Sequence, residues 1–267
     1  MPNNIEKETR TVTVALGLLD WFSLERQHIG LSEFVKLSGL SKATVFRHLT
    51  ALEKSGFIKK EQESKKYQLG YKPMELAYLV KKQTKLRDVV LPYMKKLKEV
   101  TDETVSLQIE DKGRGICIER IDSSSTLVYL PPIGSREYLH AGASRKVLLS
   151  FLHDERIEEI IAEGLPSIVN NTVTEYEQLW REIKDIRKKG YALSEGEHLD
   201  GVAAIAAPIR KGNGTVLASL SIVGPSFRIG EEQKKRFLPY LLESVRNISR
   251  ELGFKVEEDL SQGMKGV

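Results

Sequence analysis

The stretch LSEFVKLSGLSKATVFRHLTALEKSG, residues 31–56, constrains the fold of this chain more than any other. Two segments with helical apolar spacing flank Gly39, and only two residues later Ser41 is placed to cap the second segment. So short a turn makes two helices cross closely, the helix-turn-helix arrangement. Ser32 reads as the cap of the first of these helices, with Phe34, Val35 and Leu37 as its apolar residues. The second runs to about Lys54 and ends at Gly56. Upstream, residues 9–24 set Val14, Ala15, Leu18, Leu19 and Phe22 on one face of a further helix. Downstream, FIKKEQESKKYQLG reads as a two-stranded hairpin with a basic tip. Three helices and a hairpin make a winged helix-turn-helix.

Charge is concentrated in the same region. The 267-residue chain carries a net charge of only +4, yet residues 41–72 hold 8 Lys and Arg against 3 Asp and Glu. That is the footprint of an anion-binding surface. On a helical wheel Val45, Leu49 and Leu52 share one face, with His48 beside them as a packing or phosphate-contact residue. The other face carries Ala43, Phe46, Arg47, Thr50 and Lys54. In a helix-turn-helix the N-terminal half of the second helix enters the major groove. Arg47 is then placed to bond a guanine, and Phe46 or Ala43 to meet a thymine methyl. Ser41, Lys42 and Thr44 are placed on phosphates, and Lys59, Lys60, Lys65 and Lys66 of the hairpin add phosphate attraction. Double-stranded DNA is the expected partner.

The single cysteine, Cys117, excludes an intramolecular disulfide and a cysteine metal cluster, and reads as an ordinary strand residue. No apolar run approaches the length of a transmembrane helix, and MPNNIEKETR lacks the apolar core of a signal peptide. A soluble cytoplasmic protein is expected.

Beyond residue 70 the pattern is α+β. Residues 71–84 read as a connecting helix, and Leu86, Val89, Val90, Tyr93, Met94 and Leu97 as the buried side of another, with Pro92 in its early turns or kinking it. TVSLQIEDKGRGICIERIDSSSTLVYLPP reads as three strands, and GSREYLHAGASRKVLLSFLHD as a loop and then a helix. Helices over 154–163 and 174–189 follow. YALSEGE, VAAIAAPIR and VLASLSIVG are strands, the last two joined by the turn KGNGT, and a helix over about 231–252 closes the domain. The polar tail 255–267 is expected to be disordered.

The blocks LSEFVKLSGLSKATVFRHLTALEKSGFIKK, YQLG, LHAGASRKVLLSFL, KKGYALSEGEHLDGVAAIAAPI and VLASLSIVGP, in this order, resemble the IclR family of transcriptional regulators over residues 10 to about 253. The resemblance implies a winged helix-turn-helix (1–70), a linker helix (71–84) and a GAF-like, profilin-like antiparallel-sheet effector domain (85–254). It further implies homodimers, often paired into tetramers, on palindromic operators near promoters. The chain departs from the family where Arg145-Lys146 replaces Gly-Lys, where Tyr138 replaces a proline, and where Ala204 replaces a frequent cysteine. By resemblance these departures line the effector pocket.

The loop HAGAS precedes a helix, so its free N–H groups suit a carboxylate. Ser219 and Ser221 place hydroxyls at alternate positions of one strand face. The resemblance sets Leu130, Ala143, Ser144, Ser194, Val202, Ala204, Ser221 and Val223 around the pocket. Ala143 and Ser144 are expected to donate backbone N–H groups and Ser221 a hydroxyl, with Leu130, Val202 and Ala204 as apolar walls. Tyr138 narrows or caps the pocket, and Arg136 and Arg145 read as surface charges, with anion ligation as the alternative for each. The same small residues also suit tight sheet–helix packing.

Glu195, Glu197, His198 and Asp200 crowd one loop, but strand alternation separates them and no nucleophile or phosphate-loop motif accompanies them. No catalytic residue, metal or cofactor is expected. The favoured expectation is a DNA-binding regulator, a repressor more than an activator, switched by a small organic acid. The alternative is a small-molecule-binding protein or vestigial enzyme whose N-terminal domain serves protein contacts.

Overall fold

The structure, a computed structural model, describes residues 11–83, 85–129 and 131–254. The tail 255–267 and Leu130, both assigned above, lie outside the described residues. The chain divides between residues 84 and 85 into two compact units.

In the first unit α1 occupies residues 11–17 and passes into a 3-10 turn over Leu19–Trp21, short of the expected end at residue 24. Gly17 weakens the helix there. Phe22 then leaves in an extended conformation and meets Phe34 edge-on, ring centroids 5.8 Å apart. Helix α2 (Leu31–Ser38) starts earlier than its expected cap: Gly30 is the N-cap, and Ser32 lies inside the first turn. The cause is Ile29, which exchanges two 2.9 Å backbone hydrogen bonds with Tyr67 and delivers the chain directly into the helix. Gly39 ends α2 in the left-handed region at φ 66°, where a side chain is strained. Ser41 caps α3 (Lys42–Lys54) by accepting the Thr44 N–H at 3.2 Å.

Strands β1 (Ile58–Lys60) and β2 (Tyr67–Leu69) form the hairpin, paired antiparallel. At its base Gly70 donates to the Phe57 carbonyl at 2.8 Å, and a Cβ on Gly70 would lie 2.2 Å from the Gly56 oxygen. Only glycine fits that approach. Leu18, Ile29, Phe34, Val45, Leu49, Leu52, Ile58 and Tyr67 form the core, so α2, α3 and both hairpin strands contribute buried side chains, joined by Leu18 and Ile29 from the connecting segments. Helix α4 (Lys72–Gln83) completes the unit.

In the second unit α5 (Lys85–Thr101) precedes a six-stranded antiparallel sheet. Pro92 lies within α5, not at its start, and both it and Asp88, whose carbonyl it leaves without a helical partner, are exposed. The strands are β3 (Thr104–Asp111), β4 (Arg114–Ile121), β5 (Arg136–Tyr138), β6 (Ala192–Glu195), β7 (Val202–Arg210) and β8 (Val216–Pro225), in the order β5-β4-β3-β8-β7-β6. The described residues of LVYLPP do not form the expected third strand. Two prolines bar a ladder there, and Arg136–Tyr138, within the expected loop, pairs with β4 instead. The intervening segment is a strap. Its Pro131 carbonyl accepts from Arg120 Nη1 (2.7 Å) and its Leu127 carbonyl from Arg228 Nη1 (2.9 Å).

Alternation divides the sheet into two unlike faces. Val105, Leu107, Ala203, Ile205, Ala207, Ile209, Ala218, Leu220 and Ile222 point to one side, where α5 and α9 (Glu231–Glu251) cover them. Each large aliphatic side chain buried there contributes about 1.5–3 kcal/mol. The other face carries small and polar residues, with Ser221 opposite Ser106 on β3 and Ala206 on β7, and Ser219 opposite Gln108. Helix α6 (Ala143–Ser150) lies over this face, and α7 (Asp154–Ala162) and α8 (Tyr176–Lys189) pack around it. Small side chains under a short helix leave space between helix and sheet.

Candidate nucleic-acid interface and effector cavity

Helix α3 buries Val45, His48, Leu49 and Leu52 and exposes Lys42, Ala43, Phe46 and Arg47. Phe46 keeps 50% of its surface exposed, a poor position for an aromatic ring unless something covers it. His48 is in the core, where burial and the adjacent Arg47 hold its pKa below the usual histidine range. Three hydroxyls of the expected DNA-binding set are engaged within the helix. Ser41 Oγ is the N-cap, 2.9 Å from Thr44 Oγ1, and Thr50 Oγ1 donates to the Phe46 carbonyl at 2.9 Å. These side chains shape the reading face and leave the contacts to Lys42, Arg47 and the free N–H groups of the first turn. In the wing, Lys59 Nζ rests 5.2 Å from the Tyr71 ring centre and Lys60 Nζ 5.3 Å from that of Tyr67. Lys65 and Lys66 stand exposed at the tip, Lys65 with φ 56°. The unit thus presents an exposed arginine and aromatic ring on a helix flanked by a lysine-rich wing.

In the second unit the small-residue face and the start of α6 enclose a cavity of about 420 Å³, counting its open mouth. Gly142 leads into α6 at φ 91°, ψ 147°, a conformation suited to glycine alone. The Ala143 N–H donates to Ser194 Oγ at 2.9 Å, and the Gly142 N–H to Glu197 Oε2 at 3.0 Å. Ser221 Oγ and Ser106 Oγ lie 2.8 Å apart in a mutual hydrogen bond. Tyr129 and Pro131 of the strap close one side, and Val202, Ala204, Val223 and Leu199 supply apolar wall. Arg145 reaches into this space with 6% of its surface exposed. Burial holds its pKa below the usual arginine range, against the opposing pull of Tyr129, Glu137 and Glu197. His198 also lines the cavity, and burial, then Arg145, push its pKa down to about 4, so it is neutral at pH 7.

Comparison with known proteins assigns both units. Residues 11–62 match the IclR helix-turn-helix domain, and residues 78–250 match the C-terminal domain of bacterial IclR transcriptional regulators. The chain belongs to the IclR family. Among its relatives is the HTH-type transcriptional regulator KipR of Bacillus subtilis, 35% identical over 94% of this chain and the whole of that protein. The crystal structure of Thermotoga maritima IclR superposes with a TM-score of 0.72 at 28% identity, covering 92% of this chain and all of that one. An IclR homologue from Microbacterium hydrocarbonoxydans, crystallised with 4-hydroxybenzoate, shares the fold at a TM-score of 0.75 and 24% identity, covering 91% of this chain and 98% of that one.

This IclR-family member is therefore a DNA-binding transcription regulator. Its relatives are regulators and not enzymes, which removes the vestigial-enzyme alternative. No described helix is long and apolar enough to cross a membrane. The acidic loop that raised the question of catalysis is tied up in ion pairs: Glu195 with Lys234 at 2.9 Å and Glu197 with Lys146 at 2.7 Å. Cys117 is buried, and that burial pushes its thiol up to about 11.

Of the expected cavity positions, Ala143, Ser144, Ser194, Val202, Ala204, Ser221 and Val223 line the cavity, whereas Leu130 lies outside the described residues. Two expected donors are corrected. The Ala143 N–H and the Ser221 hydroxyl already have protein partners, because Ser194 and Ser106 face them across β6 and β3. Arg145 is not a surface charge but a buried one. Tyr138 neither narrows nor caps the cavity: it is 37% exposed, with the Arg114 guanidinium 4.4 Å from its ring centre. Arg136 is a surface charge, paired with Asp111 at 2.6 Å. The sequence reading missed Ser106, Gln108, Tyr129 and His198 as lining. Gln108 alternates with Ser106 on β3, but nothing local says which face of that strand meets α6.

Proposed function

We propose that this IclR-family chain represses transcription from a palindromic operator, and that a small organic acid held in the cavity changes its affinity for that operator. The observation that carries this reading is the coexistence in one chain of an exposed Arg47 and Phe46 on a recognition helix and a cavity lined by hydroxyls, an arginine and a neutral histidine. The 4-hydroxybenzoate bound by the Microbacterium homologue is a carboxylate and supports the same chemistry here. Repression needs nothing beyond occupancy of a promoter, whereas activation needs a further surface for polymerase.

The geometry supports the following roles. Lys42, Ala43, Phe46 and Arg47 meet the major groove, Ser41, Thr44 and Thr50 frame them, and Lys59, Lys60, Lys65 and Lys66 meet phosphates. Residues 1–70 form the DNA-reading domain, 71–84 the linker helix and 85–254 the effector domain. Tyr71, Met74, Leu76 and Leu79 expose 68%, 69%, 40% and 52% of their surfaces along the linker helix, which suits pairing with a second copy. A homodimer, able to pair into a dimer of dimers, would read the two half-sites of a palindrome in the cytoplasm. Effector binding acts only if the acid prefers one of two placements of the recognition helices.

The test is selection of fragments from the source genome by the full-length protein, followed by footprinting. The reading expects enrichment of an inverted repeat whose half-sites lie about one helical turn, or a multiple, apart. Enrichment no greater than that given by Arg47→Ala would sink it.

A further inference from the structure

Arg145 is a buried cation without an anion. Its Nε donates to the Ala141 carbonyl within its own turn at 2.5 Å. Among the described residues no carboxylate lies within 4.0 Å of it. Glu197 is the nearby acid in the cavity wall, and both its oxygens are engaged, one by Lys146 and one by the Gly142 N–H. Tyr129 also hydrogen-bonds it, as a neutral phenol. A guanidinium taken out of water without a counter-charge is costly, and the fold has nevertheless made room for it. A Cβ on Gly115 would lie 2.7 Å from Arg145 Cγ, and a Cβ on Gly142 would lie 2.7 Å from its Nη2. Two glycines far apart in sequence hollow out the space that one side chain fills.

A second, independent observation lies in the same cavity. Gln108 is 5% exposed, and its Oε1 has no hydrogen-bond partner. That oxygen lies 3.5 Å from the same Cβ position on Gly115, so the Gln108 amide sits beside the aliphatic stem of Arg145. Nδ1 of His198, also in the lining, is equally without a partner. Buried polar atoms are nearly always bonded, and two unmet polar atoms beside a cation that lacks an anion point to a ligand that meets them.

Resting on the effector reading above, we infer that Arg145 anchors the effector's carboxylate, and that the effector is a small monocarboxylic acid carrying a neutral O–H or N–H donor for Gln108. One free cation suits one negative charge. A dianion would set its second charge among Glu137 and Glu197. The space between α6 and the sheet is narrow, which limits the ligand to a compact acid. This places specificity on a side chain and not on the first-turn amides, one of which Ser194 already occupies.

The experiment is a thermal melt of the full-length protein with acetate, glycolate and lactate, and with acetamide, glycolamide and lactamide, for wild type, Arg145→Met and the surface control Arg136→Met. Glycolate and lactate should raise the wild-type midpoint by several degrees at saturation, acetate less, and the amides not at all. Arg136→Met should respond as wild type does. Without acid, Arg145→Met should melt no lower than wild type, since it removes an unpaired buried charge, and it should lose the response to all three acids. A midpoint for Arg145→Met well below wild type would make the arginine a structural element and overturn the inference. So would equal acid responses in Arg145→Met and wild type, or no wild-type response to any of the three acids. DNA takes no part in the melt, so its failure leaves the operator reading standing, and failure of the fragment selection leaves this inference standing.

Discussion

Lys146 Nζ lies 2.7 Å from Glu197 Oε1, with 3% and 12% of the two side chains exposed. The same ammonium reaches Glu182 at 2.7 Å, and the other Glu197 oxygen holds the Gly142 N–H at 3.0 Å. This pair ties the loop after β6 to the start of α6, and so fixes two walls of the cavity. Removing the lysine leaves two carboxylates facing each other in a half-buried site. Lys146→Met is expected to cost about 3 kcal/mol of unfolding free energy, and Glu197→Gln less, because Glu182 still neutralises the lysine. Urea melts of the two single variants and the double variant check this, with the double variant expected to cost less than the sum.

His198 gives the effector domain a pH dependence of definite sign. Its folded pKa of about 4 lies below the ordinary value of 6.5, because burial and Arg145 oppose its protonation. Between those values the unfolded chain binds a proton that the folded chain refuses, so stability falls as pH drops from 6.5 towards 4 and is level above 6.5. Partial exposure of the ring reduces the effect to the order of 1 kcal/mol between pH 6.5 and 5. Urea unfolding at pH 7 and pH 5 should show that loss in wild type and a smaller one in His198→Gln.

Gly115 lies on a strand, so alanine there meets no backbone strain, only the Arg145 side chain at 2.7 Å. Displacing that side chain should cost about 1–3 kcal/mol. It should also weaken any response to acids while leaving the affinity of the acid-free protein for DNA unchanged. Anisotropy of labelled operator, with and without acid, separates the two effects.

The wing should act through charge alone. Lys65 and Lys66 are exposed at its tip. Each phosphate contact contributes about 0.9 to the slope of log affinity against log salt. Replacing both lysines with alanine should therefore flatten the slope by up to about 2 and weaken binding to all sequences alike, which titrations at several salt concentrations will show.

How much of this was legible in the sequence follows from how far each feature reaches. The helix-turn-helix depends on neighbours within a few residues, and Gly39 and Ser41 hold the positions their residue types announce. Helix α2 starts at Leu31 and not after Ser32 because of a bridge to Tyr67, a contact no local pattern reveals. The strand faces were readable from alternation, so most of the small residues expected at the cavity line it. Arg145 was misread because an Arg-Lys pair on a helix ordinarily faces water. Its burial depends on Gly115 and Gly142, which only the folded sheet brings to it. Ser106 and Gln108 escaped for the same reason, since their partners on β8 lie more than a hundred residues away.

The central claim is that α3 reads DNA in a chain that answers to a ligand. It is tested most directly by titrating the DNA upstream of the protein's own gene with wild type and with Arg47→Ala, at low and moderate salt. The account predicts a specific complex for wild type that persists at moderate salt, and for Arg47→Ala a residual complex that salt abolishes. Indistinguishable, salt-labile binding by both proteins would contradict it.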